Sequence, residues 1–506
     1  MDLNNLKKEI VSLLIDKKIL ISKTVIEKIK SLDDEKTIKQ IIENISDNLD
    51  SVTDVNIIDF LNLELNKNNL ENDIDKNSFI EANVEIIQNH KEDNAKKKEL
   101  MDFVYYFRNR YKSISNILKG KSELEETIAI TRINSRKESM KKVALIGMVY
   151  EIETSKNGHL IVTLEDLTGK IKLIISKNNQ DIFEKAKDLV YDEVIGVIGS
   201  SSYDEKYNST VIFANEIIHP DISLTKELKK SPDESYAMFL SDIHFGSNYF
   251  LPDNFNKFIN FLNGDCDEKY KDKIDKIKYL FIAGDLVDGI GIYPSQIDEL
   301  TIPDIFKQYE EAAKYISRIP ERIKIIICPG NHDALRLAEP QPALPKSLCP
   351  DLYKLSNVYM VSNPGLVRIH QTENFPGFDV LLYHGYSFDY YVSNVDSIRN
   401  EGGYHRADLL MKFFLQRRHL CPTHASTPYI PNSFQDPLVI SKIPDFFVTG
   451  HIHYSKVANY NNITLICGSC WQRATSFQLK VGHDPEPHRV PLVNLKTRAT
   501  EVLLFD

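Results

Sequence analysis

The sequence predicts a multidomain chain with a small α-helical N-terminal domain, a five-stranded β-barrel and a larger α/β sandwich. Three observations support this prediction. Apolar residues near the N-terminus recur at helical spacing, five strand-like runs follow in the middle of the chain, and strands alternate with helices in the C-terminal half. At 506 residues the chain is long enough for about three domains.

The N-terminal region is predicted to be helical and then flexible. Within residues 1–63, Leu3, Leu6 and Ile10 begin a run of helical spacing, and two similar runs follow it. The narrow apolar faces of these helices suit a partner-binding module, and a structural cap is an equally good interpretation. Residues 64–98 are rich in Asn, Asp, Glu and Lys, which predicts a flexible linker. Residues 99–140 are predicted to form a helical connector.

The barrel is predicted over residues 141–222. Its five strand-like runs have a helical segment, residues 178–189, between the third and the fourth. This order matches an OB-fold. OB-folds often bind single-stranded nucleic acid through aromatic residues on their second and third strands. Those strands carry few aromatic residues here, so docking to a protein is the favoured role.

Five short polar motifs in residues 233–506 indicate a metal site. Four of the five follow apolar runs that are typical of buried strands, so the polar side chains lie where strands end. One such motif occurs by chance, but five in this order are very unlikely to be coincidental. The motifs are Asp242-Ile-His244, Gly284-Asp285-Leu-Val-Asp288, Gly330-Asn331-His332-Asp333, His384-Gly385 and Gly450-His451-Ile-His453.

The residue types in these motifs suit two divalent ions. Two ions about 3.5–4 Å apart need a bridging carboxylate, and Asp285 is the natural bridge. Imidazole together with carboxylate or amide oxygen suits manganese, iron or zinc better than magnesium alone. Asp242 and His244 are two residues apart, so an extended backbone would direct both side chains to one side. The glycines would let the backbone turn sharply beside the ions.

Composition excludes several classes of protein. A net charge of −10 argues against a chain that coats nucleic acid through general electrostatics. No run of about 18 apolar residues predicts a transmembrane helix, and the mixed-charge N-terminal stretch does not fit a signal peptide. Six scattered cysteines indicate free thiols in a reducing compartment. The spacing of Cys467 and Cys470 favours a turn with two buried small residues over a redox or zinc site.

The five motifs resemble those of the calcineurin-like metallophosphoesterase superfamily. An OB-fold directly before such a domain is similar to the small, B-type subunits of replicative DNA polymerases, and most of all to their archaeal family D form. The similarity covers about residues 100–506. It also rests on Tyr106-Phe-Arg-Asn-Arg-Tyr, Arg417-Arg-His-Leu-Cys-Pro, Pro444-Asp-Phe-Phe-Val-Thr-Gly-His-Ile-His, Trp471-Gln-Arg-Ala-Thr-Ser-Phe-Gln, Pro485-Glu-Pro and Pro491-Leu-Val-Asn-Leu.

This resemblance implies a 3′→5′ proofreading exonuclease with two metal ions, manganese in the first place and iron, zinc or magnesium as alternatives. His332 would be the general acid and Asp333 would orient it. The resemblance implies that the ions are held by two ligand sets that share one residue: Asp242, His244, Asp285 and His453 for the first, and Asp285, Asn331, His384 and His451 for the second.

The resemblance also implies partners and a location. The implied partners are a large catalytic subunit of the polymerase, DNA 3′ ends, and a sliding clamp or primase, with no membrane. The expected location is the cytoplasm, at the nucleoid. Two other functions remain open, a stand-alone phosphoesterase and a non-catalytic scaffold. Arg336, Arg417 and Arg418 are candidates for phosphate contacts or simple ion pairs, and Tyr386 is a candidate for base stacking or core packing.

Overall fold

The computed structural model describes residues 3–16, 29–30, 38–39, 42, 81–91 and 97–506. The chain divides into two compact units, residues 1–79 and residues 80–506. In the first unit, helix α1 (Leu3–Asp16) buries Leu6, Ile10 and Leu14 along one face, as the predicted helical spacing requires. The other helices predicted for residues 1–63 lie largely outside the described residues. Among the described residues, no helix is long and apolar enough to cross a membrane.

The second unit opens with one strand and two helices. They are β1 (Val84–Gln88), α2 (Leu100–Lys119) and α3 (Ile130–Ser135). Both helices fall inside the predicted helical connector. Helix α2 begins with a capping box in which Glu99 and Asp102 each bond the other's backbone N–H, which satisfies two of the free amide groups of its first turn.

The predicted barrel is confirmed. Its five strands close in the order β2-β3-β4-β6-β5, and helix α4 (Gln180–Lys187) lies between the third and fourth strands in sequence, as expected for an OB-fold. Alternate residues of each strand point inward and form a core of aliphatic side chains inside the barrel. The strands are β2 (Val143–Thr154), β3 (Leu160–Glu165), β4 (Lys170–Ile175), β5 (Val194–Asp204) and β6 (Ser209–Ile218).

The rest of the unit contains eleven further strands and seven further helices. The strands are β7 (Tyr236–Leu240), β8 (Ile277–Ala283), β9 (Lys324–Cys328), β10 (Val358–Met360), β11 (Gly365–Ile369), β12 (Phe378–Leu382), β13 (Phe446–Thr449), β14 (Lys456–Tyr460), β15 (Ile463–Cys467), β16 (Arg489–Asn494) and β17 (Thr500–Leu504). The helices are α5 (Pro252–Leu262), α6 (Glu268–Ile274), α7 (Ile305–Ile316), α8 (Phe388–Asn394), α9 (Asp396–Asn400), α10 (Ala407–Arg417) and α11 (Ser476–Val481).

These elements form a four-layer α/β/β/α sandwich. One six-stranded sheet has the order β10-β9-β8-β7-β16-β17, and the other has the order β1-β11-β12-β13-β15-β14. The facing surfaces share a core that includes Phe239, Phe281 and Phe446. Helices α5 and α7 cover the outer face of the first sheet, and α8 and α10 cover that of the second. Strands β7, β8 and β13 are buried at every residue because both of their faces are covered.

The single tryptophan of the chain, Trp471, lies in the outer core of the first sheet. It is fully buried, and its ring packs against Phe255, Phe258 and Phe505. Its indole nitrogen has no hydrogen-bond partner in the described part of the chain.

The prediction of a flexible linker over residues 64–98 is wrong for its C-terminal part, which contains strand β1. Strand β1 pairs antiparallel with β11, with Val84 opposite Ile369 and Ile86 opposite Val367. A five-residue strand with exposed polar neighbours carries a weak sequence signal, because its backbone hydrogen bonds depend on a distant partner strand. Residues 64–80 and 92–96 lie outside the described part. A truncation at residue 98 would remove an edge strand from the second sheet.

Helix α2 is fixed to the sandwich by a buried ion pair. Arg110 is 1% exposed, and its Nε lies 2.7 Å from Oδ2 of Asp436. The Nε2 atom of His419 lies 2.8 Å from the same carboxylate oxygen. Next to this pair, the ring of Tyr106 stacks on that of Tyr429, with centroids 4.6 Å apart. These contacts place α2 against the loop that precedes β13.

Replacing Arg110 with methionine should destabilise the second unit by about 3–5 kcal/mol, because the Asp436 carboxylate would stay buried without its cation. The measurement is the free energy of unfolding in urea. The matched control is Arg108→Met, at an exposed position of the same helix, with an expected change within about 0.5 kcal/mol. Equal effects of the two substitutions would contradict the structural role of the ion pair.

Candidate metal centre

The five motifs meet at one edge of the sandwich. Strands β7, β8 and β9 are parallel neighbours in the first sheet, and β12 and β13 are parallel neighbours in the second. The motif residues follow the C-terminal ends of these strands, and parallel strands end at the same edge. The prediction that the polar side chains lie at strand ends is therefore correct.

The structure brings all seven predicted ligand side chains together. Three groups have potential ligand atoms within 4.8 Å of one another: Asp242 with His244 and His453, Asp285 with His384 and His451, and His244 with Asp285 and His332. The Oδ2 atom of Asp285 lies 3.9 Å from Nε2 of His244 and 3.2 Å from Nε2 of His384. Asp285 therefore stands between the first two groups. The amide oxygen of Asn331 lies 2.9 Å from Nε2 of His384.

The backbone that presents these side chains is left-handed, not extended as the residue spacing suggested. The φ angles are 51° at Asp242, 58° at His244, 50° at Asp285, 72° at His451 and 59° at His453. Such conformations are uncommon for residues with a Cβ atom and cost on the order of 1 kcal/mol or more each. Residue spacing alone therefore predicted the grouping of the side chains but not the backbone that produces it.

Glycines beside the ligands are required by close contact. A Cβ atom at Gly330 would lie 2.2 Å from Oδ1 of Asp285, and one at Gly284 would lie 2.2 Å from Nδ1 of His384. A Cβ atom at Gly450 would lie 2.5 Å from a carboxylate oxygen of Asp242. The ligand side chains thus occupy the space that any larger residue would need.

Hydrogen bonds orient the imidazole rings. Nδ1 of His384 donates to the carbonyl of Ala283 at 2.8 Å, and Nδ1 of His244 lies 3.0 Å from Oδ1 of Asp288. Nε2 of His451 lies 3.1 Å from Oδ2 of Asp389. Each ring therefore uses one nitrogen for a hydrogen bond and keeps the other for the centre, which is the usual arrangement around metal-binding histidines.

Sequence reasoning assigned no role to either of the two orienting carboxylates, Asp288 and Asp389. Asp288 carries a signal, because it is the second acidic residue of the Gly284-Asp285-Leu-Val-Asp288 motif. Asp389 lies in helix α8, outside every motif, and only the three-dimensional structure places it beside His451.

His332 lies at the rim of the centre with a fixed ring. Its Nδ1 is 2.8 Å from the carbonyl oxygen of Asp288, which can only accept, so Nδ1 carries a proton. Its backbone N–H donates to Oδ1 of Asp285 at 2.8 Å. Burial lowers the pKa of His332, although the nearby carboxylate of Asp285 opposes this effect.

The prediction that Asp333 orients His332 is wrong. The Asp333 carboxylate accepts hydrogen bonds from the backbone N–H of Gly330 and from the hydroxyl of Tyr309, each at 2.9 Å. Burial and the neighbouring Asp285 carboxylate raise the pKa of Asp333 to about 6. Adjacent residues of this turn point in different directions, so Asp333 holds the turn and the Asp288 carbonyl orients the histidine.

The buried charges balance one another. Burial opposes ionisation of Asp242 and Asp285, but nearby imidazoles outweigh it and hold the pKa of both carboxyls below the ordinary value. Burial also acts against a charged His384, yet the carboxylates of Asp285 and Asp242 raise the pKa of this ring to about 10. Two buried carboxylates, inward-facing imidazole nitrogens and one amide oxygen form a donor set that fits divalent cations.

All three candidate phosphate-binding arginines make contacts within the fold, and Arg336 donates to the carbonyls of Ala338 and Pro340. Arg417 is buried and pairs with Glu193 of the barrel at 3.0 Å. Arg418 donates to the carbonyls of Ile440 and Ser441. These contacts favour the structural alternative for both arginines over a phosphate contact. Tyr386 lies near the centre, with its ring 5.6 Å from that of His451.

Family comparisons match two parts of the chain. Residues 143–224 match the OB-fold nucleic acid binding domain, and residues 237–457 match the family of the DNA polymerase alpha/epsilon B subunit. The second match indicates the class of DNA polymerase B subunits. The chain belongs to the DNA polymerase II small subunit family, whose archaeal members it matches over about four-fifths of its length.

The curated relatives give the extent of this similarity. The DNA polymerase II small subunit of Methanothermobacter thermautotrophicus is 39% identical over 397 residues, which are 78% of this chain and 78% of that protein. The Methanocaldococcus jannaschii protein of the same name is 40% identical over 395 residues, which are 78% of this chain and 64% of that protein. Among solved structures, asparaginyl-tRNA synthetase from Pyrococcus horikoshii aligns with 24% identity over 18% of this chain and 21% of that chain, with a TM-score of 0.17.

Replacing Asp288 with alanine should weaken metal affinity about 10- to 100-fold, because the ring of His244 would lose the carboxylate that orients it. The measurement is a calorimetric titration of the metal-free protein with manganese. The matched control is Asp298→Ala, at an exposed position of the same loop, which should keep the affinity of the wild type. Unchanged affinity in the Asp288 variant would contradict its orienting role.

Proposed function

We propose that this chain carries a metal-dependent 3′→5′ exonuclease that removes nucleotides from single-stranded or mismatched DNA 3′ ends during replication. The observation that carries the proposal is the position of Asp285, which belongs to one group of candidate ligands and lies 3.9 Å from His244 of the other. Membership of the small-subunit family supports the replicative setting. The geometry of the site supports the proposed hydrolysis of a phosphodiester, and membership of the family supports DNA as the proposed substrate.

Two divalent cations would occupy the centre, with manganese as the first choice and iron, zinc or magnesium as alternatives. When bound, such a pair neutralises the charge of a phosphodiester and lowers the pKa of water. The proposed ligands are Asp242, His244, Asp285 and His453 for one ion, and Asp285, Asn331, His384 and His451 for the other.

His332 is the proposed general acid. The hydrogen bond from Nδ1 to the carbonyl of Asp288 fixes the ring and leaves Nε2 free to carry a second proton. Burial lowers the pKa of His332, and the Asp285 carboxylate opposes this effect in part, so the ring is able to release its Nε2 proton readily. Protonated His332 would give the Nε2 proton to the leaving 3′-oxygen, as a general acid does.

A large catalytic subunit is the proposed partner. The sequence contains no recognisable polymerase active site, so DNA synthesis would belong to that partner. The net charge of −10 offers little general attraction for DNA, so the partner would also supply the basic track. A sliding clamp or primase is a further proposed contact, and the proposed location is the nucleoid in the cytoplasm.

Scaffolding is a second function that would coexist with catalysis. The barrel and the sandwich belong to one compact unit, and the buried Arg417–Glu193 pair joins them. Such a unit would present the barrel in a fixed orientation to a large subunit. The assembled ligand set disfavours scaffolding as the complete function. The barrel, which matches a nucleic-acid-binding family, disfavours a stand-alone phosphoesterase.

Two substitutions should separate the proposed roles of Asp285 and His332. Asp285→Ala removes the carboxylate shared by both ligand groups, so metal content and rate should both fall. His332→Ala should keep the metal and lower the rate about 10²–10⁴-fold, the usual contribution of general acid catalysis. Metal content is measured by mass spectrometry, and the rate by hydrolysis of a labelled strand. Loss of metal from the His332 variant would make this residue a ligand.

Metal-dependent degradation of single strands from the 3′ end is the direct test of the exonuclease. The full chain, alone and co-purified with a large subunit, is incubated with strands labelled at the 5′ or the 3′ end. A 5′ label should give a ladder and a 3′ label should give mononucleotide. A chelator should abolish cleavage and manganese should restore it, with Asp285→Ala as the inactive control. Cleavage in excess chelator, or shortening only from the 5′ end, would refute the proposal.

A further inference from the structure

Two aromatic side chains, Tyr293 and Phe477, lie together beside the candidate centre. Their rings are stacked, with centroids 5.6 Å apart and planes inclined by 23°. The Tyr293 ring lies 6.5 Å from that of His332. Phe477 is 46% exposed, so much of this large apolar ring faces solvent next to a polar site. Core packing does not account for such a ring.

Phe477 is linked to the proposed ligand set through the neighbouring glutamine. Phe477 precedes Gln478 in helix α11, and Nε2 of Gln478 lies 3.1 Å from Nδ1 of His453. Gln478 also completes the capping box with Thr475 that starts this helix. The position of Phe477 is therefore coupled to a proposed metal ligand.

Tyr293 forms the other half of the ring pair with Phe477, and hydrogen bonds in its own loop fix its position. In its loop, Nε2 of Gln296 donates to the carbonyl and to Oδ2 of Asp288, each at 2.8 Å. The hydroxyl of Tyr293 donates to Glu299 at 2.9 Å. Its polar end is thus occupied, and its apolar ring faces Phe477. The two loops meet only a short distance from His332.

We propose that Phe477 and Tyr293 form a stacking platform for the nucleobase on the leaving-group side of the scissile phosphate. This inference rests on the proposed function. His332 marks the side on which the 3′-oxygen leaves, and the platform lies beside His332. The nucleotide that keeps this oxygen is the penultimate one of the strand. Its base is the one that would stack on Phe477.

A base can stack on a protein ring only when it is unstacked from its own duplex. The platform therefore selects 3′ ends with at least two unpaired nucleotides over ends with a single mismatch. Stacking of one base on an aromatic side chain changes affinity about 5- to 150-fold and tolerates every base, since each has a π face. The platform would therefore discriminate between paired and unpaired 3′ ends and not between base sequences.

The test uses single strands that lack one base, with the full chain as the enzyme. An abasic residue at the penultimate position should lower kcat/KM about 5- to 150-fold, and one at the terminal position should have a much smaller effect. Phe477→Ala should cause the same loss on the normal strand and no further loss on the penultimate-abasic strand. Phe477→Tyr should retain stacking. The matched control, Phe434→Ala, replaces a phenylalanine that is 90% exposed and should behave as the wild type.

A binding arm keeps this inference separate from the exonuclease proposal. The affinity of phosphorothioate-blocked strands is measured by calorimetry for the same proteins, together with their manganese content. Equal metal content with weaker binding of only the normal strand by Phe477→Ala supports the platform, even if no protein cleaves DNA. Additive losses from the abasic residue and the substitution, or no ring-dependent difference in binding, overturn it. Absence of cleavage by the wild type overturns the exonuclease instead.

Discussion

The packing of aromatic rings between the two sheets sets the dimensions of the candidate metal centre. Phe239 of the first sheet stacks on Phe281 at 5.1 Å and on Phe446 of the second sheet at 6.0 Å. The first sheet contributes the two aspartates, and the second contributes His384 and the histidines that follow β13. The proposed ligands from the two sheets meet only if the spacing between the sheets, which these rings set, is maintained. The close packing of the interior, which transmits strain rather than absorbing it, therefore determines the geometry of the site.

The centre itself is locally unfavourable. Five proposed ligands have left-handed backbones, and two carboxylates are fully enclosed. Neither feature would persist in isolation. Backbone hydrogen bonds from Asp242 to Gly284 and from His244 to Asp285 hold the two loops of the first sheet against each other. Strain maintained by a rigid surround is characteristic of functional sites, because it fixes polar groups before a ligand arrives.

The sequence predicted most reliably those features that depend on a local pattern of residue types. The five motifs located side chains that the structure brings together, and strand–helix alternation predicted the layers of the sandwich. Reasoning failed where a distant contact decides the outcome. Strand β1 depends on β11, Asp389 lies on a helix outside the motifs, and Asp333 points away from its sequence neighbour. Backbone handedness was also missed, because residue spacing constrains where side chains lie but not the torsion angles that place them there.

Trp471 provides the chain with a built-in optical reporter. As the single indole of 506 residues, it would give an emission spectrum without overlapping contributions from other tryptophans. Its ring is sealed among phenylalanines, so emission from the folded chain should lie at short wavelength and shift to the red when the outer helical layer opens. Its backbone N–H donates to the carbonyl of Asp242 at 2.9 Å. One fluorophore thus lies a single hydrogen bond from the loop of Asp242, where it would report binding of the proposed metal ions without a label.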